Sequence, residues 1–437
     1  MGAPEAIRLG PFIGGLNTAS DPTSVQDIDL VICENLELDL DGALVNRPPI
    51  VDTGVNFPVS TGSIKLLGHY TSTTGTHYLL GSNGVTSTYY FNGAAWVQIT
   101  NTVSAHAFCQ YKDKAWFIAK SGSTQTGGSW DPAAGFAAVP NIPKGSSIVV
   151  NKERLWIAGG KEATADGARI TYSAVGEPNK WPDTSPSGGG YLNVNGGDGQ
   201  NAIRLETYFS DVVIFKEHSC YRFTFNTDPG GGTLLRLSDT VGIAGPNCLV
   251  VYESSFYVLY EDKIYLLSNY NFTRTNIKVP LVANSPSFTL SEPFNLSVWA
   301  DRLIVGYHDT TYVLSLRTNT WCTWSSATVG PIGRVIEEIV AQGVPTSAYT
   351  YSTTLGAPKL YKISLEVGSV GEVMTCSMRT KNYDYQSSHT FKKLAQWGAD
   401  IVARSNITGI VTPIVYSLPV TWGQMKARTW GGGEAGG

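Results

Sequence analysis

A short pattern that recurs along the chain constrains the fold more than any other feature. Each copy is a charged or small polar turn residue followed by four or five apolar residues, mainly aromatic and β-branched. The intervals between the first residues of successive copies are 40, 58, 44 and 46 residues, by subtraction of their positions. Units of ~40–50 residues that contain several strands are typical of β-propeller blades. The copies begin at Asp113, Glu153, Asp211, Ser255 and Asp301.

The apolar runs indicate strands that are covered on both faces. Residues 115–119 and 303–305, for example, contain no alternation of polar and apolar side chains. A continuous apolar run of this length is typical of a buried strand, and the inner strands of a propeller lie between neighbouring blades. The outer strands should be more mixed, as in residues 312–321, where a polar turn separates an apolar run from Trp321. A bulky aromatic residue suits an outer strand because it packs across the hairpin.

The sequence therefore predicts an all-β chain built as a β-propeller of six or seven blades. We predict an N-terminal arm and hairpin at residues 1–60, the propeller at 61–370, and a small β-sheet or sandwich at 371–437. Seven units in this span have ~44 residues each, a usual blade length. The longest interval contains a glycine-rich insert, which indicates a loop extension in the fourth unit. The predicted units cover residues 63–100, 105–140, 146–183, 192–237, 247–280, 294–325 and 335–365.

The composition agrees with this fold class and excludes some functions. Charged residues make up only 15% of the 437 residues, whereas 22 Tyr and 11 Trp favour strands and large buried faces. The formal net charge of −4 argues against a protein that coats nucleic acid, because such proteins carry basic patches. There is neither a signal peptide nor an apolar run of about 18 residues, so we expect a soluble protein made in a cytosol, without a membrane span. The six cysteines lie singly, which predicts free buried thiols rather than a zinc site or disulfides.

The first 60 residues do not follow the repeat. An apolar stretch with turn-forming residues at 9–17 is difficult to bury alone, and we expect it to lie along another surface. Residues 35–49 predict a hairpin in which the Asp41–Gly42 pair supplies the left-handed turn conformation. The motifs in this region are Gly-Gly-Leu-Asn at 14–17, Glu-Asn-Leu at 34–36, Asp-Gly-Ala-Leu at 41–44 and Arg-Pro at 47–48.

In this order, the motifs resemble the N-terminal signature of bacteriophage tail proteins of the propeller type, such as the nozzle of short-tailed phages. Residues 170–173 with 178–181, 241–246 and 379–385 also resemble that family, so the resemblance touches the start, middle and end of the chain. The chain is much shorter than the large nozzles. The matching N-terminal residues are Phe12, Gly14, Gly15, Asn17, Asn35, Asp41, Gly42, Ala43, Leu44, Arg47 and Pro48.

The resemblance implies a structural protein of the virion tail, made in the host cytoplasm, with neither cofactor nor metal. Such a protein assembles as a ring of its own copies and docks on the tail tube or adaptor. The ring forms part of the exit channel, through which DNA passes without sequence-specific binding. We expect the glycine-rich end of the chain to be held by neighbouring subunits. The residues expected at partner interfaces are Phe12, Gly14, Gly15, Asn17, Asp41, Gly42, Arg47 and Trp430.

We expect no enzymatic activity, because the sequence contains no nucleophile elbow, zinc-protease motif or phosphate-binding lysine loop. The turn carboxylates Asp113, Glu153, Asp211 and Asp301 could line a glycosidase funnel. Their recurrence at equivalent places instead indicates a structural role in turns. A propeller hydrolase or receptor-binding protein that acts on host-surface glycan remains the alternative. A scaffold of the WD type is a third possibility, but the blades lack its repeated dipeptides.

Three isolated features could bind a ligand, and in each the structural interpretation is favoured. His218 follows an apolar strand and is the most site-like of the six histidines. The glycine-rich residues 196–199 could approach a ligand closely but are typical of a loop. Residues 36–42 resemble half of a calcium loop, but Pro48 replaces the glutamate that the loop needs at its twelfth position.

Overall fold

The computed structural model shows an all-β protein, as the sequence predicts. None of the described residues forms a helix with the length and apolar character needed to cross a membrane. The described part of the chain comprises residues 14–17, 26, 29–38, 40, 44–58, 65–119, 127–139, 141–159, 167–182, 188–261, 263–278, 295–307, 310–326, 334–337, 347–351, 359–365, 376–380 and 401–402.

Five strands precede the first complete repeat. They are β1 (Gly15–Leu16), β2 (Asp29–Glu34), β3 (Leu36–Leu38), β4 (Leu44–Asn46) and β5 (Ile50–Asn56). The β3 and β4 strands pair antiparallel, which confirms the predicted hairpin. The Asp41–Gly42 turn lies outside the described residues.

Seven groups of four antiparallel strands form the blades of a β-propeller in the described part of the chain. Blade one contains β6 (Lys65–Thr71), β7 (His77–Ser82), β8 (Thr88–Phe91) and β9 (Trp96–Thr100). Blade two contains β10 (Ala105–Tyr111), β11 (Lys114–Ala119), β12 (Gly127–Asp131) and β13 (Gly135–Ala138). Blade three contains β14 (Ser147–Asn151), β15 (Arg154–Ala158), β16 (Arg169–Tyr172) and β17 (Gly190–Asn193). Blade four contains β18 (Ala202–Tyr208), β19 (Asp211–Lys216), β20 (Cys220–Thr224) and β21 (Thr233–Ser238), with a short 3-10 helix at Pro229–Gly231.

The remaining three blades complete the ring. Blade five contains β22 (Leu249–Tyr252), β23 (Ser255–Tyr260), β24 (Lys263–Ser268) and β25 (Asn271–Lys278). Blade six contains β26 (Asn295–Trp299), β27 (Arg302–Tyr307), β28 (Thr310–Ser315) and β29 (Thr320–Trp324). Blade seven contains β30 (Ile336–Glu337), β31 (Ser347–Tyr351), β32 (Lys359–Ser364) and β5. Two further strands follow, β33 (Ser377–Thr380) and β34 (Ile401–Val402).

The ring is closed by a strand from the other end of the chain. The outermost strand of blade seven is β5, which pairs with β32 so that Ile50 faces Ile363. The Thr53 hydroxyl donates to the Leu360 carbonyl at 2.6 Å across the same pair, and the innermost strand β30 contacts β6 of blade one. The β5 strand lies within the predicted N-terminal arm of residues 1–60, yet it belongs to the propeller.

The predicted boundary between the third unit (146–183) and the fourth unit (192–237) is also wrong. The β17 strand at Gly190–Asn193 pairs with β16, so the glycine-rich insert belongs to blade three, and blade four begins only at Ala202. The segment between β16 and β17, which carries the glycines at 188–190, separates the third and fourth strands of blade three. Its Trp181 is 1% exposed and packs with apolar residues of blades two and three. The recurring apolar run marks the second strand of blades two to six. It therefore does not determine where the outer strands of these blades end.

The second strands of several blades are buried, as their apolar composition predicts. Phe117, Ile118 and Ala119 of blade two have no exposed surface, and neither do residues 212–215 of blade four or 303–305 of blade six. Because both faces of these strands are covered, a polar substitution on either face would place an unpaired group in the core.

Two-residue turns connect the first and second strands of several blades. Lys112 and Asp113 both have positive φ, 48° and 57°, and Lys152 and Glu153 have φ of 48° and 56°. Consecutive residues with positive φ are typical of the type I′ turn, whose twist matches that of the flanking strands. The recurring carboxylates are therefore part of turn geometry in these blades.

One interblade hydrogen bond recurs around the ring. The donor is a side chain near the end of the innermost strand of one blade. The acceptor lies in the turn between the first and second strands of the next blade. The bond fixes the angle between neighbouring blades because it joins the same two places at successive interfaces. It joins Tyr70 to Asp113 O (2.6 Å), Tyr111 to Glu153 O (3.0 Å), Asn151 to Ser210 O (3.3 Å), Tyr208 to Ser254 O (3.0 Å) and Tyr252 to Asp301 Oδ1 (2.8 Å).

Candidate functional site

The N-terminal arm extends blade six into a larger sheet. The β1 strand pairs in parallel with the outer strand β29, and β2 pairs with β1 and β29. The β33 strand then pairs antiparallel with β2, so that Glu34 faces Ser377 and the sheet has seven strands. The Ser377 hydroxyl donates to the Glu34 carboxylate at 2.8 Å. Blade six is therefore unlike the other blades, because three strands outside the repeat are added to its outer edge.

Gly15 allows the arm to approach blade six closely. Its φ is +66°, and a Cβ at this position would lie 2.8 Å from Thr320 Cβ and 2.9 Å from Trp321 N. Glycine is required here by both the left-handed conformation and the lack of space. Asn17 connects β1 to β2 within the arm, because its Nδ2 donates to the Asp29 carboxylate at 2.8 Å.

Arg47 and Asn35 join the β3–β4 hairpin to the end of blade six. Arg47 has no exposed surface, and its Nε donates to Asn35 Oδ1 at 2.8 Å. Its Nη1 donates to Pro48 O and its Nη2 to Ser325 O, both at 2.8 Å. The Ser325 backbone N–H also donates to Asn35 Oδ1 at 2.8 Å. We call this set of hydrogen bonds the arm clasp (Asn35, Arg47, Pro48 and Ser325). Each of the three guanidinium nitrogens of Arg47 donates to a different residue of the clasp.

A buried ion pair also holds the hairpin. Glu37 of β3 accepts from Arg302 of β27, with 2.7 Å between Glu37 Oε2 and Arg302 Nη2. Burial alone would lower the pKa of Arg302, but the Glu37 carboxylate outweighs it and raises the pKa above its ordinary value. The hairpin is thus tied to the second strand of blade six as well as to its end. The last described strand, β34, pairs in parallel with β4 and adds to this sheet.

The structure brings together some of the residues predicted at partner interfaces. Gly15, Asn17 and Arg47 lie in the arm against blade six, and Gly14 precedes β1. Their contacts described here are within one chain, and a role between copies stays a prediction. Phe12, Asp41, Gly42 and Trp430 lie outside the described residues.

Sequence reasoning missed the partners of this site, Ser325 and Arg302. One feature of the sequence could have indicated a partner such as Arg302. Glu37 lies between Leu36 and Leu38 in an apolar strand, and a buried carboxylate needs a cationic partner. No signal of that kind marks Ser325, because its contacts with Arg47 and with Asn35 Oδ1 are made by its backbone carbonyl and N–H, which every residue except proline carries.

The glycine-rich loop at 196–199 is held by a buried lysine. Lys216 has no exposed surface, and its Nζ lies 2.7 Å and 2.9 Å from the two Asp198 oxygens and 2.8 Å from Val194 O. Burial would raise the pKa of Asp198, but the hydrogen bond from Lys216 outweighs it and lowers that pKa. This loop therefore has a structural role in blades three and four.

The other single candidates also make structural contacts. His218 Nδ1 lies 2.8 Å from the Tyr260 hydroxyl oxygen. Asp211 accepts from Arg222 Nε at 2.7 Å and from the Tyr270 hydroxyl at 2.6 Å. Within the described ranges, no group of three or more His, Cys, Asp or Glu side chains could hold a metal ion. All six cysteines are free thiols, and burial raises the pKa of Cys33 to about 12, which makes its thiolate scarce at neutral pH.

The chain resembles known proteins only in its fold. No protein-family model matches the chain, and no curated protein matches it. BamB from Moraxella catarrhalis is 12% identical over 69% of this chain and 83% of its own, with a TM-score of 0.41. The WD40 domain of Neurospora crassa Pan2 is 9% identical over 74% of this chain and 95% of its own, with a TM-score of 0.46. Neither similarity bears on what this chain does.

Proposed function

We propose that this chain is a structural component of a bacteriophage tail. In this proposal its copies assemble as a ring that docks on the tail tube or adaptor and forms part of the DNA exit channel. The protein acts mechanically, as a rigid body with an assembly arm, and it carries out no reaction.

One observation carries the proposal: three residues of the tail-protein signature, Gly15, Asn35 and Arg47, join the arm to the propeller. Gly15 provides the close approach to β29, and Arg47 with Asn35 forms the arm clasp, whereas Asn17 binds Asp29 within the arm. Turn chemistry alone would not require a fully buried arginine or a glycine beside Trp321. The signature thus has a specific physical basis, which supports a common architecture with those tail proteins.

The extended sheet also provides a means of assembly. Among the described residues, β33 is the outer edge of the seven-stranded sheet. An edge strand presents backbone donors and acceptors with which a strand of another chain can pair. We assign the contact between copies to this edge, because a contact between unlike surfaces, repeated by rotation, closes into a ring.

Charge is compatible with the passage of DNA through such a ring. Each copy carries a formal net charge of −4, so the ring as a whole repels phosphate. DNA in the lumen would then move without specific contacts, because binding to its backbone depends mainly on neutralisation by Lys and Arg.

The proposal is tested on purified phage particles. An antiserum against this protein should label the tail in electron micrographs, and quantitative mass spectrometry of the particles should find several copies per virion. The purified protein should leave host-surface polysaccharide intact. Its absence from particles would overturn the proposal. Polysaccharide cleavage that is abolished by one carboxylate substitution, such as Asp113→Asn, would favour the hydrolase instead.

A further inference from the structure

The sequence contains three Asn-Gly pairs, at 83–84, 92–93 and 195–196, and each lies between two strands of the propeller. In such a pair the backbone nitrogen of glycine can attack the side-chain amide of asparagine, because glycine has no Cβ to hinder the approach. The surroundings of the reacting atoms differ among the three pairs.

The Asn92–Gly93 pair forms the exposed turn between β8 and β9 of blade one. Asn92 Oδ1 accepts from the backbone N–H groups of Ala94 at 3.0 Å and Ala95 at 2.9 Å. These donors polarise the amide carbonyl and stabilise the negative charge that develops on its oxygen when Cγ is attacked. Gly93 has a φ of +94°, and a Cβ there would meet no atom within 4 Å. Among the described residues, neither Asn92 Nδ2 nor the Gly93 N–H has a hydrogen-bond partner, so the leaving group and the nucleophile are both free to move.

The Asn83–Gly84 pair has a similar carbonyl but no free nucleophile. Asn83 is 4% exposed, and its Oδ1 accepts from the three backbone N–H groups of residues 85–87. The Gly84 N–H donates to Ser82 Oγ at 3.2 Å. The attacking nitrogen is therefore engaged, and water has little access to the asparagine.

The Asn195–Gly196 pair is exposed, but its side-chain nitrogen is held. Asn195 Nδ2 donates to Asp198 Oδ2 at 3.0 Å, and the same carboxylate is bound by the buried Lys216. Lys216 Nζ also lies 3.3 Å from the Asn195 carbonyl oxygen. Rotation of the side chain toward the Gly196 nitrogen would have to break a hydrogen bond to a carboxylate that is itself fixed.

The turn of blade one lies beside the place where the ring closes. Trp96, which follows the turn, packs against Phe57 with ring centroids 4.7 Å apart and against Phe91 at 5.6 Å. Phe57 comes directly after β5, the closing strand of blade seven. A change in the backbone of the turn would therefore shift Trp96 and disturb the apolar contact between blades one and seven.

We infer that Asn92 is a site of spontaneous modification, at which the chain converts this asparagine into aspartate or isoaspartate and thereby loosens the closure of the ring. The Gly93 nitrogen loses its proton to the solvent and bonds to Asn92 Cγ, and the Cγ–Nδ2 bond breaks with release of ammonia. Water then opens the five-membered ring that has formed. Opening on one side gives aspartate, and opening on the other side gives isoaspartate, whose backbone is longer by one carbon. Water is the co-reactant, and no atom is oxidised or reduced. This site is independent of the proposed role in a tail.

The inference is tested by incubation of the full chain at mildly alkaline pH, with peptide mapping by mass spectrometry at intervals. The two other Asn-Gly pairs serve as internal controls. Asn92 should react at least about tenfold faster than Asn83 or Asn195, because each of these must first break a hydrogen bond that holds its reacting groups. In urea the three pairs should react at similar rates, since their surroundings are lost. Faster reaction of Asn83 or Asn195 in the folded protein, an Asn92 that stays intact when the unfolded chain reacts, or an excess at Asn92 that persists in urea would overturn the inference.

The effect on the ring is tested with the Asn92→Gln variant. Glutamine would have to form a six-membered ring, so this variant should keep its melting temperature during the incubation, whereas that of wild type should fall. Asn195→Gln is the matched control and should lose stability as wild type does. Equal falls in wild type and Asn92→Gln, or an unchanged melting temperature in wild type that is modified at Asn92, would show that this site does not loosen the ring and would contradict the inference.

Discussion

At the residue scale, buried polar groups connect parts of the chain that are distant in sequence. Lys216 joins blade four to the loop that follows blade three, and Arg47 joins the arm to blade six. Such groups are costly to bury without partners, because desolvation is then uncompensated. Their substitution should therefore cost far more than substitution of similar residues at the surface.

The Lys216→Met variant should be less stable by about 3–5 kcal/mol, because Asp198 and the Val194 carbonyl lose their buried partner. The matched control is Lys180→Met, which removes an ion pair with Glu177 in which the two side chains are 42% and 47% exposed. The control should change stability by less than ~1 kcal/mol. Urea unfolding of both variants measures the difference, and equal losses would contradict the structural role of Lys216.

Tyr252 should make stability depend on alkaline pH. Its hydroxyl donates to Asp301, and this hydrogen bond, followed by burial, raises the pKa of Tyr252 to about 12. Tyrosine in an unfolded chain titrates near ~10. The folded state therefore holds the proton more tightly, and the stabilisation is complete below about pH 10 and is lost as the pH rises toward 12.

In the Tyr252→Phe variant, stability should accordingly fall less steeply between pH 10 and 12 than in wild type. Tyr191→Phe serves as the control, because the Tyr191 side chain is 55% exposed. Urea midpoints measured across this range for all three proteins give the comparison. Parallel curves for wild type and Tyr252→Phe would show that the interblade hydrogen bond contributes no such linkage.

At the scale of elements, the sequence predicts the repeated strands and the local β3–β4 hairpin, but it misses pairings between distant segments. The apolar second strands and their turns recur at similar intervals, because each blade has to bury the same strand between its neighbours. The fourth strand of blade three was not predicted because the strand at 190–193 is short, contains both polar and apolar residues, and follows an insert. The strand at Ile50–Asn56 alternates half-buried and exposed residues after the buried Ile50, but nothing in its local sequence indicates that its partner is β32, far along the chain.

The closing strand gives a prediction about truncation. A variant lacking residues 1–48 keeps β5 and should unfold in one cooperative transition. A variant lacking residues 1–60 leaves blade seven with three strands, and it should melt at lower temperature and aggregate through the open edge. Differential scanning calorimetry compares the two.

A peptide of residues 49–58 added in trans should restore the melting temperature of the shorter variant, whereas a scrambled peptide should not. If both truncated proteins melt alike without the peptide, the closure of the ring by β5 would not be needed for stability.

At the scale of the whole molecule, the propeller is a closed ring of blades, and blade six alone carries an extension made of additional strands. The seven blades bury their strands against one another within the chain. The arm strands, the hairpin and β33 gather at blade six. A surface that differs from every other side of the molecule is what a directional contact between copies requires.

Native mass spectrometry of the full chain tests the central claim of assembly through this extension most directly. We predict a single closed oligomer with a mass that is an integer multiple of 47.0 kDa, which reverts to monomer when residues 1–48 are removed. A full-length protein that stays at 47.0 kDa at concentrations well above the micromolar range, or an oligomer that is unchanged by the truncation, would contradict the account.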